Sequence, residues 1–268
     1  MNKIVISLFV FFLWIVAVFA FRPLGANNTL FEQSLYCVAS LIASVSGFLV
    51  LRAYGKGPRF RSLLFLSLGV LAWFFADVQF NYYEFVLNNL SYPSSADYFY
   101  LAGYILMFLG LTLEIKLSDI SWKKMNKQVY LVSGLFTALM LGAFSYLTLF
   151  SSYDPKALFW ENVVTIGYTV GDLFLCVAGF FILVVAWEYR GGKASGVWMS
   201  LFLGFLSTMV GDLLYAIFPD ALTSHVGWIY IVSQYFYIFG YILFTYAFLS
   251  LQTVFLTLQK RVNLKNTT

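Results

Sequence analysis

Residues 98–106 read YFYLAGYIL, and residues 235–243 read YFYIFGYIL. Seven of the nine positions are identical, at a spacing of 137 residues in a chain of 268. Two further blocks precede each copy in the same order. Leu66, Leu68, Gly69 and Leu71, with Asp77 eight residues after the glycine, return as Leu201, Leu203, Gly204, Leu206 and Asp212. Residues 36–51 pair with residues 168–183, with seven of sixteen positions identical. The spacing drifts only from 132 to 137. Ordered self-similarity of this kind marks an internal duplication.

Composition supplies the setting. Hydrophobic residues make up 61% of the chain and charged residues 10%, where a soluble domain carries about 25% charged residues. Apolar runs long enough to cross a ~30 Å hydrocarbon core recur along the sequence. Such runs must pair their backbone groups internally, which they do as helices. Aromatic residues reach 21%, with 30 Phe and 19 Tyr. That is more than interfacial belts need, and it suggests an aromatic-lined interior. The expected fold is an all-α integral membrane protein of eight transmembrane helices, built as two parallel four-helix repeats.

The eight spans fall near 4–21, 34–52, 62–83, 97–115, 129–150, 163–187, 197–218 and 227–252. The first repeat is then 1–116, followed by a basic connector, 117–128, which lies against headgroups or simply sets topology. The second repeat is 129–256, and 257–268 form a tail. Lys3 followed by an apolar run ending in Val18-Phe19-Ala20 has the outline of a signal peptide. Its length, and the four-against-four balance of spans, argue that it is retained. Fourteen of the sixteen basic residues then sort to one side, including Arg52, Lys56, Arg59, Arg61, Lys116, Lys124 and Arg190, and only Arg22 and Lys156 to the other. By the positive-inside rule both termini are cytoplasmic in a plasma (inner) membrane. An even number of spans per half makes the repeats parallel, with their pseudo-axis along the membrane normal.

Ionisable groups inside a membrane are functional candidates by default. Asp77 and Asp212 sit in the outer half of their spans, Asp172 near mid-membrane, and Asp97 at the outer start of a helix. No Lys or Arg lies at matching depth. Unpaired carboxylates there need a proton, a bound cation, or hydrogen bonds from neighbours such as tyrosine. The candidate ligand-binding set is Asp77, Asp172, Asp212, Asp97, Tyr100, Tyr168 and Tyr237, around an outward-facing cavity. The plainer alternatives are helix-to-helix glue for Asp77 and Asp212, and a capping box with the preceding Ser94 for Asp97. No acid is expected within a span in the cytoplasmic half. Glu84, Glu161 and Asp154 read as solvated outer-loop acids, and His225 as an exposed loop residue. Cys37 and Cys176 lie in apolar runs as small buried hydrophobes, without disulfide or metal-ligand spacing. The single histidine excludes a site needing two or three His ligands. No metal and no cofactor are assigned. No GxSxG, HExxH, P-loop or GxGxxG stands in a plausible setting.

Pro93-Ser94-Ser95-Ala96-Asp97-Tyr98-Phe99-Tyr100-Leu101-Ala102-Gly103-Tyr104 resembles the P-S-x-A-D-x-x-Y-L-x-x-Y stretch of membrane-embedded N-terminal sensor regions. These regions precede cyclic-di-GMP synthase and phosphodiesterase domains in bacteria. Tyr168-Thr169-Val170-Gly171-Asp172-Leu173 is similar to the Y-P-x-G-D-L opening of a later helix there, with Thr169 where Pro is usual. The resemblance implies a sensory module standing without the catalytic domains. Gly171-Asp172 and Gly211-Asp212 also resemble the Gly-Asp pairs of lysoplasmalogenase-like membrane hydrolases.

The expected function is therefore a multi-pass sensory or ligand-binding module. Its partners are the lipid bilayer, a small-molecule or lipid ligand and a cytoplasmic signalling partner; nucleic acid is not among them. The alternatives are a membrane-embedded lipid-metabolising enzyme, with the aspartates as acid, base or metal ligands, and a small-solute transporter. The topology makes a direct prediction. With Cys37 and Cys176 removed, cysteines introduced at Leu90 and Leu222 should react with an impermeant thiol reagent only from the outside. Labelling of either from the cytoplasmic side alone would refute the assignment.

Overall fold

The structure is a computed structural model that describes residues 3–21, 28–88, 92–118, 127–146, 153, 155–188, 193–218 and 227–266. The described residues form eight helices and no strand: α1 (Lys3–Phe21), α2 (Asn28–Tyr54), α3 (Phe60–Phe85), α4 (Ser95–Leu117), α5 (Lys127–Tyr146), α6 (Phe159–Glu188), α7 (Lys193–Ile217) and α8 (Trp228–Asn266). Six of them, α2, α3, α4, α6, α7 and α8, are long and apolar enough to cross a membrane. The apolar stretches of α1 and α5 are shorter, Ile6–Val18 and Lys127–Ala143. The expected eight spans are thus eight helices, of which six meet the length and hydropathy of a full crossing. Helix α8 runs on without a break to Asn266, so the segment expected as a separate tail from 257 continues it. His225, Asp154, Arg22, Arg190 and connector residues 119–126 lie outside the described residues.

The six long helices close into a ring, in which α2 packs on α3, α3 on α4, α4 on α6, α6 on α7, α7 on α8, and α8 back on α2. Outside it, α1 lies against α8 and α2, and α5 against α6. The outer surface is apolar. Val38, Leu41 and Val45 of α2, Phe75 and Val78 of α3, Ile105 and Leu109 of α4, and Leu131 and Leu135 of α5 are all exposed. An exterior of this kind fits a hydrocarbon solvent, since lipid tails are as apolar as leucine. The interior instead holds aromatic rings and polar groups. Tyr230, Tyr241, Phe205, Phe244 and Phe248 are among the largest fully buried side chains.

Local signals set the helix ends. Gly55 follows the last turn of α2 at φ +69, where an L side chain would be strained, and its N–H donates to Leu51 O at 3.0 Å. Ser94 stands before α4 in an extended conformation, and Asp97 in the first turn closes back on it. At the end of the ring that carries Arg52, Lys56, Arg59, Arg61 and Lys116, Arg59 Nε pairs with Glu114 Oε1 at 3.2 Å. Ser62 Oγ donates to Glu114 Oε2 at 3.0 Å. Glu114 is buried, so an acid does lie within a helix at the basic end, contrary to expectation. It is tolerated there because Arg59 and Ser62 meet both of its oxygens.

Glycines let two helix pairs approach closely. Between α3 and α4, a Cβ on Gly69 would strike Met107 and stand 3.0 Å from Gly103 O, while one on Gly103 would strike Trp73 and stand 3.0 Å from Gly69 O. Between α7 and α8, a Cβ on Gly204 would strike Phe244, and one on Gly240 would stand 3.2 Å from Gly204 O. Trp73 has no room to retreat, because it is 3% exposed and its Nε1 donates to Tyr100 O at 3.1 Å. Gly103→Ala should therefore destabilise the protein by about 1–3 kcal/mol through overpacking. Gly134 in α5 has nothing within 4 Å of its Cβ position. Gly134→Ala should be neutral or stabilising by up to about 1 kcal/mol, through helix propensity alone. Reversible unfolding in mixed micelles measures both.

Candidate functional site: a buried aspartate–tyrosine network

Six helices send polar side chains into the ring, and the helical period selects them. Tyr36 and Ser40 on α2, Tyr100 and Tyr104 on α4, Tyr168 and Asp172 on α6, and Tyr237 and Tyr241 on α8 are each four residues apart. Residues at that spacing share one face. Asp77 comes from α3 and Asp212 from α7.

Each of these two aspartates receives two tyrosine hydroxyls. Tyr100 donates to Asp77 Oδ1 at 2.7 Å, and Tyr241 to Asp77 Oδ2 at 2.9 Å. Tyr237 donates to Asp212 Oδ1 at 2.6 Å, and Tyr104 contacts Asp212 Oδ2 at 2.7 Å. One donor in each pair comes from the helix that follows the aspartate in the chain, and the other from across the ring. Ser40 lies within hydrogen-bonding reach of Asp77, as Asp172 does of Asp212. The Tyr36 and Tyr241 hydroxyls lie near each other. The Tyr36 ring stands edge-on to Tyr237 and Tyr241, with centroids 5.9 and 5.4 Å away, so it joins the two centres.

Tyr104 also contacts Asp172 Oδ1 at 2.8 Å. A phenol carries one hydrogen and has acceptor lone pairs. Both contacts of Tyr104 are hydrogen bonds only when one carboxyl group is protonated and donates back to the phenol oxygen. The Asp172–Tyr104–Asp212 unit is thus built to hold one proton.

Asp97 stands apart. Its Oδ2 accepts the Ser94 N–H at 2.6 Å and the Ser94 hydroxyl at 2.9 Å, which is the expected helix-capping role. Its Oδ1 accepts the Tyr168 hydroxyl at 2.6 Å. Its hydrogen bonds go to Ser94 and Tyr168 rather than to the other three aspartates, and the Tyr168 ring stands with its centroid 6.1 Å from those of Tyr100 and Tyr104. The candidate set therefore resolves into a two-centre core, Asp77 and Asp172/Asp212, with Asp97 linked at one edge.

Burial divides the network. Asp77 is 0% exposed, and Asp172, Tyr104 and Tyr241 are also buried. Asp212, Tyr100, Tyr168 and Tyr237 keep accessible surface. Among the described residues, no group of three or more His, Cys, Asp or Glu is placed to hold a metal ion.

Tyr36, Tyr104 and Tyr241 were not among the expected site residues. Tyr104 and Tyr241 occupy the same place in the two YFYxxGYIL copies, four residues after Tyr100 and Tyr237, so the repeat itself carried the signal. Glu32, which is 1% exposed in α2, had no such signal. Glu84, expected in a solvated loop, lies in the last turn of α3 and is half-buried. The helix continues past the apolar run there, held by Tyr83 and Ser95 hydroxyls 3.0 Å apart.

No protein-family model matches the chain, and comparison with curated proteins and with solved structures gives no match.

The shared carboxylate makes the tyrosines interdependent. Tyr104→Phe removes the bridging hydroxyl and should destabilise the protein by about 1–3 kcal/mol, the cost of leaving a buried polar group without its partner. In double-mutant cycles, Tyr104→Phe and Tyr237→Phe, which meet on Asp212, should couple by about 0.5–3 kcal/mol. Tyr100→Phe and Tyr237→Phe touch different aspartates and should add to within about 0.5 kcal/mol. Equal coupling in both cycles would contradict the two-centre arrangement.

Proposed function

We propose that this chain is a multi-pass membrane module of the sensory or ligand-binding type, and that its binding site is the aspartate–tyrosine network, reached from the outer side. The observation that carries this reading is the division of burial. A network serving only as glue between helices is best sealed throughout, because open space beside a side chain gains nothing for packing. Here Asp212, Tyr100, Tyr168 and Tyr237 combine accessible surface with full hydrogen-bonding to one another or to Asp77 and Asp97. They form one wall of a site, with sealed Asp77, Tyr104 and Tyr241 behind it.

The same reading takes the chain as two parallel repeats. Asp77 with Tyr100 and Tyr241, and Asp212 with Tyr237 and Tyr104, are the same arrangement with the halves exchanged, and the glycine crossings at Gly69–Gly103 and Gly204–Gly240 follow suit. Asp172 stands where the first half has Ser40, so one ligand would meet two unlike sides. The likeness of the 93–104 segment to bacterial sensor regions supports a signalling role, with the basic end of the ring as the output side in the cytoplasm.

Native mass spectrometry of the protein released from nanodiscs tests the site. The wild type should retain a small molecule that both Asp77→Asn and Asp212→Asn lose while remaining folded. These variants keep the shape and most hydrogen bonds but remove the ionisable group. If both fold and retain the same molecule in the same amount, the network is helix glue and the site lies elsewhere.

A further inference from the structure

Helix α5 stands outside the ring and carries a surface made for a helix that this chain does not supply. We infer that α5 pairs with the α5 of a second copy of this chain, so that the protein forms a two-fold dimer in the membrane. The inference is independent of the aspartate–tyrosine network.

The seat of α5 is half empty. The other outlying helix, α1, lies against both α8 and α2, with Phe12 on Phe239 at 5.3 Å and Trp14 on Phe31 at 6.2 Å. Among the described residues, the backbone of α5 lies against α6 alone. On one flank of α5, Phe136 stacks on Phe180 at 4.1 Å and meets Phe202 of α7 edge-on. The other flank is open. There Ser133, Gly134, Thr137, Ala138, Leu141 and Phe181 help to line a groove of about 410 Å³.

The open flank has the chemistry of a helix seam. At the seams of the ring, glycines lie where a facing helix passes. A Cβ on Gly47 would meet Ser67, one on Gly110 Leu66, one on Gly204 Phe244, and one on Gly240 Thr208. At the α7–α8 seam a hydroxyl accompanies the glycine: Ser207, three residues after Gly204, donates to Phe236 O at 2.6 Å. Helix α5 repeats that arrangement, with Thr137 three residues after Gly134. Here the facing helix is missing. Nothing stands within 4 Å of a Cβ on Gly134 or on Gly142, and the buried Thr137 Oγ1 has no hydrogen-bond partner. Glycine weakens a helix relative to alanine, so two open glycines cost α5 stability and gain no packing from this chain. Threonine has two χ1 rotamers available in a helix, so the hydroxyl of this groove-lining residue can turn to a carbonyl of a helix laid beside it. A lipid tail would fill the groove but offers that hydroxyl no acceptor.

The surface is complementary to itself. Residues four apart form rows along a helix, and three rows run side by side on α5. Ser133, Thr137 and Leu141 edge the groove, Gly134, Ala138 and Gly142 form the middle row, and Leu131, Leu135 and Leu139 form a ridge on the far side. The three ridge leucines are exposed. Two copies in one membrane share an orientation, so a two-fold axis along the membrane normal relates them and the same patch meets itself. That operation lays the leucine ridge of each α5 along the groove of the other. The small residues between let the two backbones approach. A foreign helix would need both features in matching register, which a second α5 has by symmetry.

Energy transfer between donor- and acceptor-labelled copies of the whole chain, reconstituted in liposomes and diluted with lipid, measures the association. The wild type should be dimeric at high protein-to-lipid ratio and dissociate on dilution. Gly134→Leu and Ala138→Leu, which fill the middle row, should each raise the dissociation constant tenfold or more. Leu41→Ala, on the exposed face of α2 across the ring from α6, should leave it unchanged. In a background without Cys37 and Cys176, Ala138→Cys should form a disulfide between copies on mild oxidation, and Leu41→Cys should not. If the leucine variants do not fold, the two cysteine variants decide. A dimer that ignores the leucine variants, or that cross-links through Leu41→Cys instead, overturns the inference. So does a wild type that stays monomeric at every ratio, which would leave the groove to a lipid tail or a foreign helix.

Discussion

The structure depends on tyrosine hydroxyls donating to carboxyl groups where water is not available. Asp77 accepts from Tyr100 and Tyr241, and Asp212 from Tyr237, with Tyr104 set between Asp212 and Asp172. In bulk water such bonds would add little, because each protein–protein bond replaces a protein–water bond. Inside a ring of apolar helices the alternative to the bond is an unsatisfied carboxyl group, so these bonds constrain which helices lie side by side. Tyr241 reaches from α8 to α3, and Tyr104 from α4 to α7. Neither pair of backbones comes close, although the Trp73 ring of α3 also meets Tyr241 and Phe244 of α8. The tyrosines therefore tie together helices that the backbone contacts leave apart.

Close backbone approach makes that reach possible. Gly69 and Gly103 bring α3 against α4, and Gly204 and Gly240 bring α7 against α8. Trp73, lodged at the first crossing, bonds the carbonyl of Tyr100 and stands edge-on to Tyr104, so it orients the segment that supplies two of the four donors. Gly171 and Gly211 serve the same end more locally. A Cβ on either would collide with Tyr104 or Tyr237, whose hydroxyls must pass to reach the neighbouring aspartates. Small residues and phenols are thus two halves of one arrangement, the first clearing space and the second filling it with directed bonds.

The two ends of the ring handle charge differently. At the basic end, buried Glu114 is answered by the cation of Arg59 and the hydroxyl of Ser62. In the network tyrosine hydroxyls take that place beside the aspartates. A salt bridge neutralises a carboxylate outright, whereas phenols only solvate it, so charge demand persists in the network and not at Glu114. That contrast sets the network apart from the ion pair at Glu114, although both bury carboxyl groups.

Composition and the recurring apolar runs determined a helical membrane protein, because a chain with so few charges has no other way to satisfy its backbone in lipid. The duplicated segments marked Asp77 with Asp212 and Tyr100 with Tyr237 as matched positions, and those residues do bond to one another. Tyr104 and Tyr241 stood in the same repeated words and were legible in principle, but nothing in one dimension says that a tyrosine bonds across a ring rather than along its own half. Glu32 and Glu114 were hidden for a related reason: their burial depends on neighbours more than a helix away. Only the tertiary structure decided that α2 closes the ring against α8, that Tyr104 bridges two carboxyl groups, and which face of the network stays accessible. Helical periodicity fixes the side of a helix on which a residue lies, but the partner it meets depends on how helices distant in sequence pack, and that is set by the sum of many contacts rather than by any local pattern.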